Sequence, residues 1–468
     1  MGIMPDSALE RLLDGCHKLG KIAETSGATQ WEIIAGQDYG IQVEIENGKI
    51  ALAAGGGEGG YGIRVVENGR YGYAYLARPD NGRSAVEQAL DIARRSPQID
   101  GFELVADSGS TSIEGMFDTN VDTLTATDLL TSADDLLSIT ADLSQDATVT
   151  GGGVGAGISA GAILTSEGIE DSGVKSSHSL GVQITIDKDD LLTSGWNSDS
   201  KRHVITNPEG VVEHAIWWTE QCRKQISGGE VGDSPVILTD SALGGLFATI
   251  VPQATLGDRQ ARGESFWTNK MGQGVLAEHL SLIDDRTMTG GKDSGGRDAE
   301  GRATRKNVVV ENGILKGALW SGRDAAEQVA LGNVEFADST ASASRDSYEG
   351  PPFPSAANLS LCSSQRVIPR DGLIAEIVDG YLVGSVMGAH TANPTSGDFS
   401  VTSSHILKIE DGEVVGALRQ AGISGNLPRS LAEEVALGDS PRPHGGWGGG
   451  SVYVPDVLFK QGIRVNPA

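Results

Sequence analysis

The sequence predicts an α+β fold in two domains, an N-terminal helix-and-sheet domain over residues 1–228 and a C-terminal, mostly antiparallel β domain over residues 229–468. Three observations predict it. At 468 residues the chain exceeds what one hydrophobic core ordinarily serves. Apolar stripes at helical spacing concentrate in the first half. Asn-Gly and Asp-Gly pairs between β-branched runs recur in both halves, and these mark antiparallel hairpins.

The elements follow in chain order. Over residues 6–25, Leu9, Leu12, Leu13, Cys16, Leu19 and Ala23 share one helical face, with Asp6 or Ser7 as cap. QVEIENGKIAL and IRVVENGRYGYAY then alternate around Asn47-Gly48 and Asn68-Gly69, residues that tolerate the positive φ of a type I′ turn. A second helix is expected over 84–95, opened by a Ser84/Glu87 capping box and turning Val86, Ala89, Leu90 and Ala93 inward. A third runs over 125–143. A fourth follows Asn207-Pro208, with Val211, Ala215, Trp218, Cys222 and Ile226 on one stripe and His214 solvated. SGGEVGDSP (227–235) reads as a linker. Beyond it helical periodicity is sparse, and VVVENGILKGAL, LIAEIVDGYLVGSV and HILKIEDGEVVGAL each read as a hairpin. They keep no fixed period, which argues against a solenoid or propeller.

Composition excludes several functions. Asp+Glu is 63 against 36 for Lys+Arg, a net charge of −27 that repels phosphate backbones and anionic membranes. No nucleic-acid or membrane partner is expected. The 65 glycines lack a G-X-Y period, so collagen is excluded. Cys16, Cys222 and Cys362 lie far apart, which fits a reducing cytoplasm and argues against a disulfide framework or a Cys-rich zinc site. MGIMPDSALE has no basic n-region and no apolar h-region, so no signal peptide is expected. Residues 147–166 are uncharged but too rich in Gly, Ser and Thr for a spanning helix. A cytoplasmic location is expected.

Short motifs carry little chemistry. Gly57 to Gly62 fits G-x-G-x-x-G and Gly155 to Ala160 its Ala-ended form, but strands rather than helices follow both, so neither presents a helix N-terminus to a pyrophosphate. Gly157-Ile-Ser159-Ala-Gly161 matches a nucleophile elbow without the helix that elbow requires. No two of the eight histidines lie at i, i+4 on a helix. His390 and His405 bracket a polar loop where a metal pair is conceivable, although polar loop histidines are more often plain hydrogen-bond partners.

Longer motifs are more specific. GYGIRVVENGRYGYAYLARPD with AVEQALDIARRS, then NPEGVVEHAIWWTEQC and SPVILTDSALGGLF, then LGDRQARGESFWTNKMGQ, DAEGRATRKNVVVENGILKGALW, SGDFSVTSSHILKIEDGEV and ISGNL occur in this order. In these motifs the chain resembles the TldD/TldE (PmbA) family, the modulators of DNA gyrase. The resemblance implies a two-domain α+β fold, a dimer with its substrate channel between subunits, and degradation of unfolded or leader-type peptides. In the catalytic member, TldD, H-E-x-x-x-H on a helix and a cysteine near the C-terminus bind zinc, and the Glu is general base on the metal-bound water. Aligned on Gly257-Asp258, those three positions fall at Ala248, Thr249 and Gln253, and the cysteine position falls near Gly445 in HGGWGGGSVYV. None of these residues replaces the ligands.

The resemblance therefore implies a TldE-like, metal-free subunit. It implies no catalytic residue and no cofactor in this chain, with zinc in a TldD-type partner, as heterodimer or homodimer, around an unfolded peptide substrate. Candidate substrate-facing residues are His390, Thr391, Asn393, Ser396, Gly397 and Asp398 of one loop, which match a family motif. Arg345 and Tyr348, before Pro351-Pro352, are a second candidate wall. Ordinary loop capping accounts for both segments equally. Two alternatives stand beside this reading: a stand-alone hydrolase using Ser159 or a His390/His405 site, and a homodimeric peptide-binding protein with no catalytic partner.

Overall fold

A computed structural model describes residues 2–5, 7–226, 234–445 and 450–467. The first of these elements is α1 (Ala8–Thr25), with Ser7 at its N-cap position making no side-chain cap bond; Asp6 lies outside the described residues. Then come β1 (Gln30–Glu46), β2 (Lys49–Glu67) and β3 (Arg70–Leu76). Both Asn-Gly turns form as expected, with φ of 49° at Asn47 and 50° at Asn68 followed by positive-φ glycines.

Helix α2 spans Gly82–Arg95. It starts two residues earlier than the capping-box reading, after a turn at Pro79–Asn81, and no side chain caps it. The Ser84/Glu87 box is thus not formed, because both residues already lie inside the helix. Its inward face is as expected, with Val86, Ala89, Leu90 and Ala93 buried. After α3 (Thr119–Asp122), α4 (Ala126–Leu143) carries a full capping box between Thr125 and Asp128. Strands β4 (Ala147–Thr165), β5 (Glu170–Lys188) and β6 (Leu191–Lys201) and helix α5 (Glu209–Gln221) complete the first half.

These six strands form one antiparallel sheet in the order β3-β2-β1-β4-β5-β6. Its helix-covered face is apolar. Ile33, Ile63 and Ala162 pack with α1 and α2, and Val43, Ile158 and Val182 pack with α4 and α5. The opposite face is rich in glycine. Register aligns Gly56, Gly40, Gly157 and Ser177 across four strands, and Glu58, Asp38, Ser159 and Lys175 in the next row. Both glycine motifs thus lie inside strands, as their flanks suggested.

The segment 227–233, with most of the expected linker and the 228/229 boundary, lies outside the described residues. Beyond it come β7 (Val236–Leu238) and α6 (Asp240–Thr255), then two further sheets, one of eight strands and one of six. One runs through Val236–Leu238, Asp379–Met387, Asp398–Glu410 and Ala421–Asn426, the other through Leu280–Asp285, Asn358–Ser363, Ser451–Val454 and Arg442–Gly445. Apolar side chains of both sheets join α6 in one core that includes Phe247, Ile250, Leu282, Leu359, Val383 and Val454.

Two expectations for this half are corrected. Helix α6 escaped the periodicity test because twelve of its sixteen residues are buried and Pro252 interrupts it, so it has no polar face to give a 3.6-residue pattern. LIAEIVDGYLVGSV is no hairpin: Arg370–Ala375 is helical and Asp379-Gly380 opens a strand. Gly380 serves close approach instead, since a Cβ there would stand 2.3 Å from the Pro235 carbonyl oxygen. The hairpins at Asn312-Gly313 and Asp411-Gly412 form as expected. No helix among the described residues is long and apolar enough to cross a membrane.

Candidate functional site

Helix α6 organises the site. Thr239 caps it, accepting from the Ala242 amide at 3.3 Å while donating to the Gly384 carbonyl at 2.8 Å. Its first residue, Asp240, is a buried hub. His444 Nε2 donates to Asp240 Oδ2 at 3.2 Å, and Arg370 and Arg442 stand 3.6 and 3.8 Å from its carboxylate. The Asp240 amide donates to Asp456 Oδ1 at 2.8 Å, and Asp456 in turn holds Arg370 through bonds of 2.6 and 3.1 Å. Burial pushes the Asp240 carboxyl up, but the His444 bond and the two guanidiniums outweigh it and hold it below the ordinary value. Arg442 also reaches the first sheet, bonding Asn197 Oδ1 at 3.0 Å and the Ser198 carbonyl.

A cavity of about 250 Å³ opens beside the hub, lined by His214, Asp240, Arg370, Arg442 and Asp456. His214 is therefore not the solvated residue that the helix stripe suggested. The Trp218 indole donates to its Nε2 at 3.1 Å, and burial together with Arg370 pushes its pKa down to about 4, so it is neutral near pH 7. The sequence did carry a weak signal for this hub. A lone carboxylate in an apolar run, as Asp456 is in VYVPDVLF, needs a buried cation.

Further along α6 lie the positions where the catalytic family pattern has its ligands. Ala248 is 3% exposed and has no donor atom. The Thr249 hydroxyl donates to the Gly245 carbonyl at 2.9 Å. Gln253 contributes a neutral amide, whose Oε1 is buried without a hydrogen-bond partner among the described residues. Gly445, on the strand packed beside α6, has no side chain. This donor set does not fit zinc, which takes imidazole, thiolate and carboxylate ligands.

The candidate loop residues come together as a self-satisfied turn. Asn393 Oδ1 accepts from the Thr395 and Ser396 amides at 2.9 and 3.2 Å, and Ser396 Oγ donates to Asp398 Oδ2 at 2.7 Å. Asn426 Nδ2 donates to Asp398 Oδ1 at 2.7 Å, and with Ser396 it lowers the Asp398 pKa. Thr391 Oγ1 donates to the Gly388 carbonyl at 2.7 Å. Gly397 is buried at φ 80° against Pro428. His390 lies exposed in a short turn, Ala389–Thr391, which packs on α6 at Gly245.

Arg345 and Tyr348 join a different neighbourhood, the first sheet. The Arg345 guanidinium pairs with Glu32 and donates to the Ala299 and Gly350 carbonyls at 3.1 Å. Glu32 also binds Arg64 at 2.6 Å, and all three side chains are at least nine-tenths buried. Tyr348 lies over Gly60 and Gly62 of β2, and its carbonyl accepts from the Tyr73 hydroxyl at 2.7 Å.

The hydrolase candidates are not assembled. Ser159 is exposed in mid-strand, opposite Asp38 and Lys175. His405 has both nitrogens engaged: Nε2 donates to the Ser194 carbonyl at 2.6 Å, and Nδ1 takes the Ser385 hydroxyl at 3.0 Å.

A long-stranded antiparallel sheet, followed by two sheets around a buried helix, is the architecture of PmbA/TldD-type metallopeptidase folds. The family models described as PmbA/TldA metallopeptidase domain 1 and PmbA/TldA metallopeptidase C-terminal domain match residues 31–93 and 231–462, and the chain belongs to this family. The fold is similar to the crystal structure of TldE from Thermococcus kodakarensis, with a TM-score of 0.85 at 23% identity over 97% of this chain and 100% of that one. In sequence the chain is 25% identical to an uncharacterized protein of Methanocaldococcus jannaschii, over 95% of this chain and 98% of that protein. It is 26% identical to a metalloprotease TldD homolog of Buchnera aphidicola, over 46% of this chain and 43% of that protein.

Proposed function

We propose that the chain is a TldE-like, non-catalytic subunit that completes the peptide channel of a metallopeptidase whose zinc lies in a TldD-type partner. One observation carries this reading: at Ala248, Thr249, Gln253 and Gly445 the family scaffold keeps its helix and strand but presents no group able to ligate the metal. The hub at Asp240 supports it, because it fixes the start of α6 and the end of the neighbouring strand although neither supplies a ligand. The substrates are unfolded or leader-type peptides, which offer main chain for strand-like docking.

Co-expression with a TldD-type chain from the same genome tests the proposal. The expected result is a complex of one copy of each chain that cleaves an unfolded peptide and loses activity to a chelator. The chain alone is expected to bind no stoichiometric zinc and cleave nothing. Chelator-sensitive cleavage by the purified chain would overturn the proposal.

A further inference from the structure

Lys175 and Arg202 hold the segment that carries Lys292 where the first sheet joins the C-terminal half. Lys175 Nζ donates to the Ser294 carbonyl at 2.7 Å. Arg202 donates to the Ser176 carbonyl at 2.9 Å and to the Lys292 carbonyl. The Lys292 amide donates to the Tyr453 hydroxyl at 3.1 Å, and Lys292 Nζ stands 3.7 Å from where a Cβ on Gly445 would sit. Of the three cations, Lys292 thus borders the strand that lacks the family's cysteine.

Their charge is poorly compensated. Neighbouring Lys201 and Arg286 have carboxylates within 4 Å, at Asp199 and Asp284, but none of these three has one among the described residues. Asp293 acts on Lys175 and Arg202 from farther away, and its Oδ2 also accepts the Ser451 hydroxyl at 2.5 Å. Burial and then Arg202 push the Lys175 ammonium down to about 8. In a chain with 63 acidic residues and 36 basic ones, three cations gathered on the main chain of residues 292–294 without a close carboxylate are a local reversal of sign. Lys292 is exposed, so its ammonium is open to a ligand from solution.

We propose that Lys292, supported by Arg202 and Lys175, is a carboxylate-binding corner that takes the C-terminal carboxylate or an acidic side chain of a bound peptide. The inference rests on the peptide-channel reading and adds to it a chemical preference and an end of the peptide. An exposed ammonium on a segment whose main chain is held by two further cations gains most from a full negative charge, and a peptide amide offers only a dipole.

The experiment is calorimetric titration of the full chain with three probes: tetra-alanine with a free C-terminus, its C-terminal amide, and an amidated, acetylated tripeptide with one Asp. The free acid or the Asp peptide is expected to bind at least tenfold tighter than the amide, and whichever leads names the source of the carboxylate. Lys292→Gln should shrink the preference below twofold, and Lys292→Arg should keep it. Because Lys292 is exposed, both variants should melt like the parent. Equal binding of acid and amide, no measurable binding of either acid, or a preference that survives in Lys292→Gln would overturn the inference. Complex formation with the TldD-type chain, measured separately on Lys292→Gln, keeps that failure distinct: a complex without the preference removes only this inference, and absence of any complex removes the subunit reading.

Discussion

His214 and Arg345 show how single residues report on burial. The His214 imidazole is kept neutral by burial and by Arg370, with its pKa near 4, while an unfolded histidine titrates near 6.5. Between those values the unfolded chain binds more protons, so stability should fall as pH falls from about 6.5 to about 4, by up to about 3 kcal/mol. Urea unfolding at pH 7 and pH 4.5 checks this, and His214→Gln should lose less than the parent over that interval. Arg345→Ala should cost about 3 kcal/mol, because it removes one of the two guanidiniums that neutralise fully buried Glu32. Ser159→Ala should leave stability within about 0.5 kcal/mol, as expected of an exposed strand residue. Sequence could nominate Arg345 but not its task. Glu32 lies 313 positions away in the chain, and only folding brings it to the guanidinium.

At the scale of elements, turn chemistry was the most legible signal and burial the least. Asn-Gly pairs dictate positive φ locally, so the hairpins after β1 and β2 follow from two residues each. Asp379-Gly380 shows the limit of that logic. The same dipeptide type lies in a strand, where the missing side chain admits the Pro235 carbonyl. Helix α6 was invisible to periodicity for the opposite reason, being apolar nearly all round. The loop 388–398 combines both themes. Gly397→Ala should cost at least about 1–2 kcal/mol, since φ is +80° and a Cβ would stand 2.3 Å from Pro428 Cδ. Gly173→Ala, where a Cβ would meet nothing within 4 Å, is the control and should be neutral. Equal thermal melts for the two variants would show that the loop is not held as described.

For the whole molecule the decisive feature is the hub that joins α6, the strand Arg442–Gly445 and the first sheet. Asp240→Asn should destabilise the chain by about 3 kcal/mol, because two guanidiniums and His444 lose their shared counter-charge. Guanidinium denaturation measures it, and hydrogen exchange should quicken in β6, where Arg442 is anchored on Asn197 and Ser198. An unchanged midpoint would mean that the hub does not tie the two halves. The α+β class, the Asn-Gly hairpins, the family and the absence of ligand residues at 248, 249 and 253 were legible in the sequence, since each depends on local chemistry or on motifs read in order. Tertiary structure alone decided which charges meet. The Asp240 hub, the Glu32 cluster and the Lys175–Arg202–Lys292 corner each unite residues far apart in the chain, and long-range pairing leaves no local periodicity to read.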